Sequence, residues 1–294
     1  MRVNTKSLKF FGVILFFFMV CFLCFRQRST ITINVVERHV KSIYSIQNRT
    51  SHVIQNAILT IRSPSDGAIS NGNLKIAASH GYTMQSEANG NNTLKVVLPP
   101  LPPFSIELVR IDFEMTLTSK AITAKEASSN KYLEPTRYVQ AAHPSVKRLA
   151  VKLKQKGQVK YALALYDWVS QNVRYEGFLK RERGALYALT KKRGDCTEYM
   201  DLFVALCRAA GIPARCVGGY VASSDGPLSP SDYHNWAEFF DGNSWQIADP
   251  QKRRFMSHQE EYIAIVKYSG SEILGGFSGQ YHISDKRLKV RLKG

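Results

Sequence analysis

The stretch Gly194-Asp195-Cys196-Thr197 places a thiol where a helix should begin. Asp195 is a good N-cap residue, so Cys196 falls at the first helical position. A helix N-terminus carries partial positive charge and free backbone N–H groups. Both favour a thiolate, and this position therefore predicts a thiol pKa lowered towards a reactive range. The same N–H groups can receive the oxyanion of a tetrahedral intermediate. A nucleophilic cysteine needs a base, and the base needs an orienting partner. His234 opens the run HNWAEFF and Asp249 closes the run SWQIAD. The two runs read as the arms of one hairpin turning at Asp241-Gly242. His234 lies seven residues before that turn and Asp249 seven residues after Gly242, which predicts the two side by side. Asp249 could then fix the imidazole tautomer and stabilise the imidazolium. Each residue alone is commonly structural; the functional reading rests on the three together.

The run RGDCTEYMDLFVALCRAAGIPARCVGGYVA, followed by YHNWAEFFDGNSWQIADPQ, resembles the core of the transglutaminase-like superfamily. The matching motifs are Gly194 with Cys196, Gly211 to Arg215, Gly219-Tyr220, His234 with Trp236 and Glu238, and Asp249-Pro250. The resemblance covers about residues 145 to 255. It implies that Cys196 attacks a carboxamide or peptide carbonyl, that His234 moves the proton and that Asp249 orients His234. The acyl-enzyme would pass to an amine, giving transamidation, or to water, giving deamidation or proteolysis. Animal members supply an aromatic oxyanion donor upstream of the cysteine. Trp168 and Tyr175 are the nearest candidates here, and Trp236 is a further oxyanion or substrate-channel candidate. The acidic calcium loops of animal enzymes are not seen in the sequence, so no metal or cofactor is implied. Cys207 and Cys216 fall at positions expected to be buried thiols, with a Cys207–Cys216 disulfide as the alternative.

A cysteine peptidase or amidase on the same fold is the alternative activity, and a non-catalytic envelope assembly module is a third reading. The expected partner is a protein or peptide substrate. The oligomeric state is left open.

The elements needed to position these residues are legible. Residues 30–120 read as short strands separated by turn chemistry at Asn71-Gly72-Asn73 and Asn89-Gly90-Asn91, which predicts a small all-β sandwich. Within Phe104 to Leu117 the apolar parity switches, from Phe104, Ile106 and Leu108 to Ile111, Phe113, Met115 and Leu117. A strand has a period of two, so this predicts a β-bulge or break near Val109-Arg110. Asn48-Arg49-Thr50 and Asn91-Asn92-Thr93 are glycosylation sequons, relevant only in a eukaryotic secretory setting. From residue 121 to 294 helices come first: Pro144 to Gln155, Tyr161 to Val173, Gly184 to Lys192 and Thr197 to Ala210, the last stopped by Gly211 and Pro213. Strands follow. The fold class expected is α+β, a transglutaminase-like (papain-like) core with helices packed on an antiparallel sheet. The loop Ser223 to Tyr233 is expected to move over the site.

The first 29 residues are set apart as a membrane segment. Phe10 to Phe25 carries no charge; Arg2, Lys6 and Lys9 precede it, and Arg26 and Arg28 follow. The bulky residues at its end argue for an uncleaved signal anchor, one N-terminal transmembrane helix, before a cleaved signal peptide. The charge asymmetry places the body outside the cytoplasm. The chain bears 40 Lys and Arg against 23 Asp and Glu, a formal net charge of +17. This excess is spread along the chain and thickens at Lys191, Lys192 and Arg193 and at Lys286, Arg287, Lys289, Arg291 and Lys293. It favours anionic surroundings. No nucleic-acid-binding motif accompanies it, so no specific nucleic-acid partner is expected.

Overall fold

The structure is a computed structural model, and it describes residues 35–65, 70–87, 90–118, 130–268 and 280–293. The apolar segment 10–25 lies outside the described residues. Among the described residues no helix is long and apolar enough to cross a membrane. The described residues belong to one compact unit.

The chain opens with six strands: β1 (Val35–Asn48), β2 (Ile58–Ser63), β3 (Ser70–Ala78), β4 (Tyr82–Ser86), β5 (Asn92–Val97) and β6 (Ile106–Thr118). The central region follows as α1 (Pro144–Lys152), α2 (Gln158–Asn172), β7 (Arg174–Tyr175), α3 (Ala185–Lys191), β8 (Arg193–Gly194) and α4 (Cys196–Ala209). Then come β9 (Ala214–Val221), β10 (Gly226–Pro227), β11 (Tyr233–Phe240), β12 (Trp245–Asp249), β13 (Arg254–Phe255), β14 (Tyr262–Tyr268), β15 (Tyr281–Ile283) and β16 (Leu288–Lys293).

One sheet runs β10-β1-β6-β3, with β16 also paired to β1; a second runs β15-β2-β5-β4. Their inner faces share one core, to which Tyr44, Ile46, Ile111 and Phe113 come from the first sheet and Leu59, Ile61, Leu94 and Val96 from the second. The last two strands return to these N-terminal sheets: β16 runs antiparallel to β1 and β15 antiparallel to β2.

The expected bulge at Val109-Arg110 is absent. β6 pairs with β1 in unbroken register from Val35↔Thr118 to Gln47↔Ile106. Val109, Ile111, Phe113, Met115 and Leu117 all point inward, while Ile106 and Leu108 stay 60% and 52% exposed. The parity of the longer apolar set decides the face, and two aliphatic residues are left in solvent. The irregularity sits instead on β3, whose pairing with β6 shifts between Gly72 and Lys75 and where Asn73 has φ 55°.

Both sequon asparagines are structural. The Asn48 side-chain amide donates to the carbonyls of His52, Leu101 and Pro102 at 2.8, 3.0 and 2.9 Å, and its oxygen accepts from Thr50. Asn91 exchanges two bonds with the Lys267 backbone. Both side chains are buried.

The third sheet has the order β13-β12-β11-β9-β14. One face packs on the helices, through Ala214, Cys216, Ala237, Phe239 and Ala248 against Phe203, Leu206 and Tyr166. The other face carries Val217, Trp236, Trp245, Ile247 and Tyr262. Every residue of α4 from Glu198 to Arg208 is buried.

Replacing Asn48 by Ala strands three carbonyls and should cost about 3 kcal/mol of unfolding free energy. Urea denaturation measures it, and a loss below about 1 kcal/mol would mean that the loops around residues 49–52 and 101–103 are held by other means.

Candidate active site

Helix α4 starts at Cys196 because Asp195 and Glu198 close a capping box. Asp195 accepts from the Thr197 N–H at 2.8 Å, and Glu198 accepts from the Asp195 N–H at 3.0 Å. The remaining oxygens of the two carboxylates reach outward. Asp195 accepts from the Leu179 N–H and Glu198 from the Arg183 N–H, each at 2.8 Å. The chain before the helix is thereby fastened to the helix start. Gly194 is required here because a Cβ at that position would collide with the Glu198 side chain.

Cys196 is partly exposed. Burial, followed by the charge of Asp195, pushes its thiol up to about 12, against the opposing pull of the Asn235 backbone N–H and the Thr197 side chain. The expected lowering of the thiol pKa is therefore not met. The helix terminus offers donors, yet the carboxylate that caps it stands beside the sulfur and the enclosure removes water. A thiolate here needs a positive partner.

His234, the base candidate of the sequence, stands on β11. His234 Nε2 lies 2.7 Å from Asp249 Oδ2, with His234 6% and Asp249 1% exposed. Burial alone would raise the Asp249 carboxyl; His234, the Lys252 N–H at 3.0 Å and the Tyr262 hydroxyl at 2.8 Å outweigh it and hold it below the ordinary carboxylate range. With Nε2 engaged by Asp249, Nδ1 is the ring nitrogen left for a thiol. The next residue, Asn235, links strand to helix: its side-chain amide donates to Thr197 Oγ1 at 2.9 Å. His234 and Cys196 are thus each one residue from a direct bond between β11 and α4.

The hairpin exists, but His234 and Asp249 are not opposite one another in it. Ala237 pairs with Ala248 and Phe240 with Trp245. The four-residue turn Asp241–Ser244 moves the register by two residues, so Asp249 falls across from Trp236 and meets His234 diagonally on the same face.

The three aromatic candidates separate. Tyr175 pairs with Gly194 in the short parallel β7–β8 ladder and is 51% exposed. Burial and then the charges of Cys196 and Asp195 raise its hydroxyl. Trp168 lies on α2 with the Lys192 ammonium 3.8 Å above its ring. Trp236 is 0% exposed and packs edge-on against Tyr262 at 5.0 Å. Of the three, Tyr175 is the one paired to the short strand that leads into Cys196.

Several motif residues turn out to hold the site's walls. Arg215 and Glu238 form a buried ion pair at 2.7 Å, and the Arg215 guanidinium covers Trp245 at 4.1 Å. The double glycine of β9 clears both of its faces. A Cβ on Gly218 would strike the Tyr233 hydroxyl and Asn235, and one on Gly219 would strike the Ile263 carbonyl and Trp236. Cys207 and Cys216 are free and buried. Sequence reading missed Thr197, Asn235 and Tyr262 as supports; only their places beside Cys196 and His234, or at a strand start, could have drawn notice.

The loop Ser223 to Tyr233 is fastened rather than open. Gly226 and Pro227 pair with Val40 and Lys41, the Leu228 N–H donates to the Lys41 carbonyl at 2.8 Å, and Leu228 is buried. Asp225 accepts from the His39 N–H at 3.1 Å and pairs with Arg38.

Residues 147–250 match the family model described as the transglutaminase-like superfamily, and this region of the chain is a transglutaminase-like domain. The fold is the mixed α/β fold of that superfamily, with four α-helices among the described residues. A protein from Cytophaga hutchinsonii, provisionally titled a cysteine protease, is 19% identical with a TM-score of 0.56, over 89% of this chain and 92% of its own. The periplasmic domain of TgpA from Pseudomonas aeruginosa aligns at 16% identity with a TM-score of 0.40, over 76% and 92% of the two chains. No curated protein sequence matches the chain.

Burial raises the Glu198 carboxyl from 4.5 to about 7. A carboxyl whose pKa rises on folding favours the folded state below its unfolded value and loses that contribution as pH climbs to the folded one. Stability should therefore fall between pH 4.5 and about 7. In Glu198→Gln the decline should be visibly shallower, since the titrating group is gone. Urea midpoints across that range provide the check; parallel curves for the two proteins would exclude Glu198 as the source.

Proposed function

We propose that the chain is a cysteine-nucleophile enzyme acting on protein or peptide amides, with Cys196 as nucleophile, His234 as proton carrier and Asp249 as its orienting partner. The observation that carries this reading is the buried His234–Asp249 pair at 2.7 Å, tied through Asn235 and Thr197 to the helix that begins with Cys196.

The thiol proton passes to His234, and the sulfur adds to the amide carbonyl carbon. The imidazolium is stabilised by the Asp249 carboxylate. The carbonyl electron pair moves to oxygen, where the Cys196 N–H, which the Asp195 cap does not take, and the Tyr175 hydroxyl are the donors we assign. Collapse of this intermediate expels the amine, which takes its proton from His234 and leaves a thioester. An amine or water then attacks the thioester carbonyl, gives its proton to His234 and releases the thiolate. Transamidation follows from an amine, deamidation or cleavage from water. Hydrolysis is the second reading, and the partial exposure of Cys196 itself favours it. In both readings the body lies outside the cytoplasm, held by residues 10–25; the support is the charge pattern of Arg2, Lys6 and Lys9 before that run.

The thiol requires His234 for its reactivity at neutral pH, because burial and Asp195 oppose the lone thiolate. Iodoacetamide alkylation of Cys196, followed by peptide mass in the full chain in detergent, should be fast at pH 7. In His234→Ala it should slow by about 100-fold and rise steeply with pH. Asp249→Asn should slow amide turnover by about 1,000-fold or more with a smaller effect on alkylation. Equal alkylation rates with and without His234 would remove the catalytic reading.

A further inference from the structure

The segment between β7 and α3 forms a fixed wall beside Cys196. The Glu176 N–H donates to the Gly194 carbonyl at 3.1 Å, the Leu179 N–H to Asp195, and the Arg183 N–H to Glu198. Gly177 and Gly184 take φ of 83° and 81°, which bends the segment at both ends. Two aromatic rings stand out from this wall. Tyr175 is 51% exposed and pairs with Gly194, two residues before Cys196, and Phe178 is 76% exposed, one residue from the Leu179 tether. A ring of that size left in water beside a reactive group is a surface for an apolar side chain of a ligand.

The same wall is cationic. Residues 174–193 hold seven Lys and Arg against two Glu, so five of the chain's net seventeen positive charges fall within these twenty residues. Some of these cations are engaged. Arg183 and Arg193 lie 3.9 and 3.4 Å from Glu176, and Lys192 covers Trp168. Arg174, Lys180, Arg181 and Lys191 are exposed and have no ion-pair partner among the described residues. Lys180 and Arg181 follow directly on the Leu179 tether, so both lie near Phe178 and the start of α4. A substrate that reaches Cys196 along this wall meets an apolar platform flanked by free positive charge.

We infer that the acyl-donor substrate is an acidic polypeptide segment with an apolar side chain next to the reacting amide. The apolar side chain packs on Tyr175 and Phe178, and the flanking carboxylates face Lys180 and Arg181. This rests on the catalytic reading for the identity of the reacting group, whereas the charge and apolar preference belongs to the wall itself.

The test separates the two. Three glutamine peptides of equal length are compared as protectors of Cys196 against iodoacetamide in the full chain. One is acidic with leucine beside the glutamine, one basic with the same leucine, and one acidic with serine in place of leucine. The acidic leucine peptide should protect at about tenfold lower concentration than either of the others. Its advantage over the basic peptide should shrink at high salt, where exposed charges are screened. The double change Lys180→Glu and Arg181→Glu should abolish or reverse the charge preference; with each exposed pair contributing about threefold, the swing should approach tenfold or more. Phe178→Ala should remove the preference for leucine and leave the charge preference. All three changes are at exposed positions. Equal protection by the acidic and basic peptides overturns the inference, as does a preference that survives the double charge reversal. Alkylation that ignores His234 overturns the catalytic reading instead, and the protection comparison still decides the preference.

Discussion

The constraint on which the rest depends is the burial of α4 with ionisable groups inside it. Glu198, Asp201 and Arg208 are all on the buried part of the helix. A buried charge is costly unless it is met by donors or a counter-charge. Arg208 is met by the carbonyls of Ala214 and Glu134. Glu198 is met by the N–H groups of Asp195 and Arg183. Asp201 lies among other acids with Cys216 Sγ 3.8 Å away, and burial raises its carboxyl well above the usual range, which favours the protonated acid. Each solution ties the helix to a different part of the chain. The helix is thereby immobilised, and Cys196 at its first position is held with it.

A fixed thiol serves acyl transfer only if the base arrives at the same place, and this is a matter of close backbone approach. Strand β9 is flanked by β11 and β14 and has side chains pressing on it from both faces. Gly218 admits Tyr233 and Asn235 on one face; Gly219 admits Trp236 and the β14 backbone on the other. Asn235 can then reach Thr197, and His234 can rest against Asp249. The Arg215–Glu238 pair, buried at the other end of the same strands, anchors the sheet beneath.

The N-terminal sheets are joined to this domain by more than chain continuity. Tyr220, Ile263 and Ile265 belong to the same core as the inner faces of those sheets, and Gly226–Pro227 adds a short parallel pairing to β1. Leu228 is buried in that core as well. The loop that leads into His234 is therefore part of the packing between the sheets.

Sequence alone determined the pieces that depend on local chemistry. The Asp195 cap, the stop at Gly211, the four helices and the hairpin at Asp241-Gly242 all follow from signals a few residues long, and the structure has them. The linear order of Cys196, His234 and Asp249 was equally legible, because spacing within a motif survives in one dimension. What only the tertiary structure decided depends on residues far apart in the chain. The parity of β6 was set by which face met the opposite sheet, so no bulge was needed. Burial and the neighbouring Asp195 carboxylate push the Cys196 thiol up, and the extent of that burial is not written in the local motif. Tyr262, Asn235 and Thr197 became supports only when three strands and a helix converged. Burial and electrostatic surroundings are sums over neighbours in space, and a chain read in order does not contain that list of neighbours.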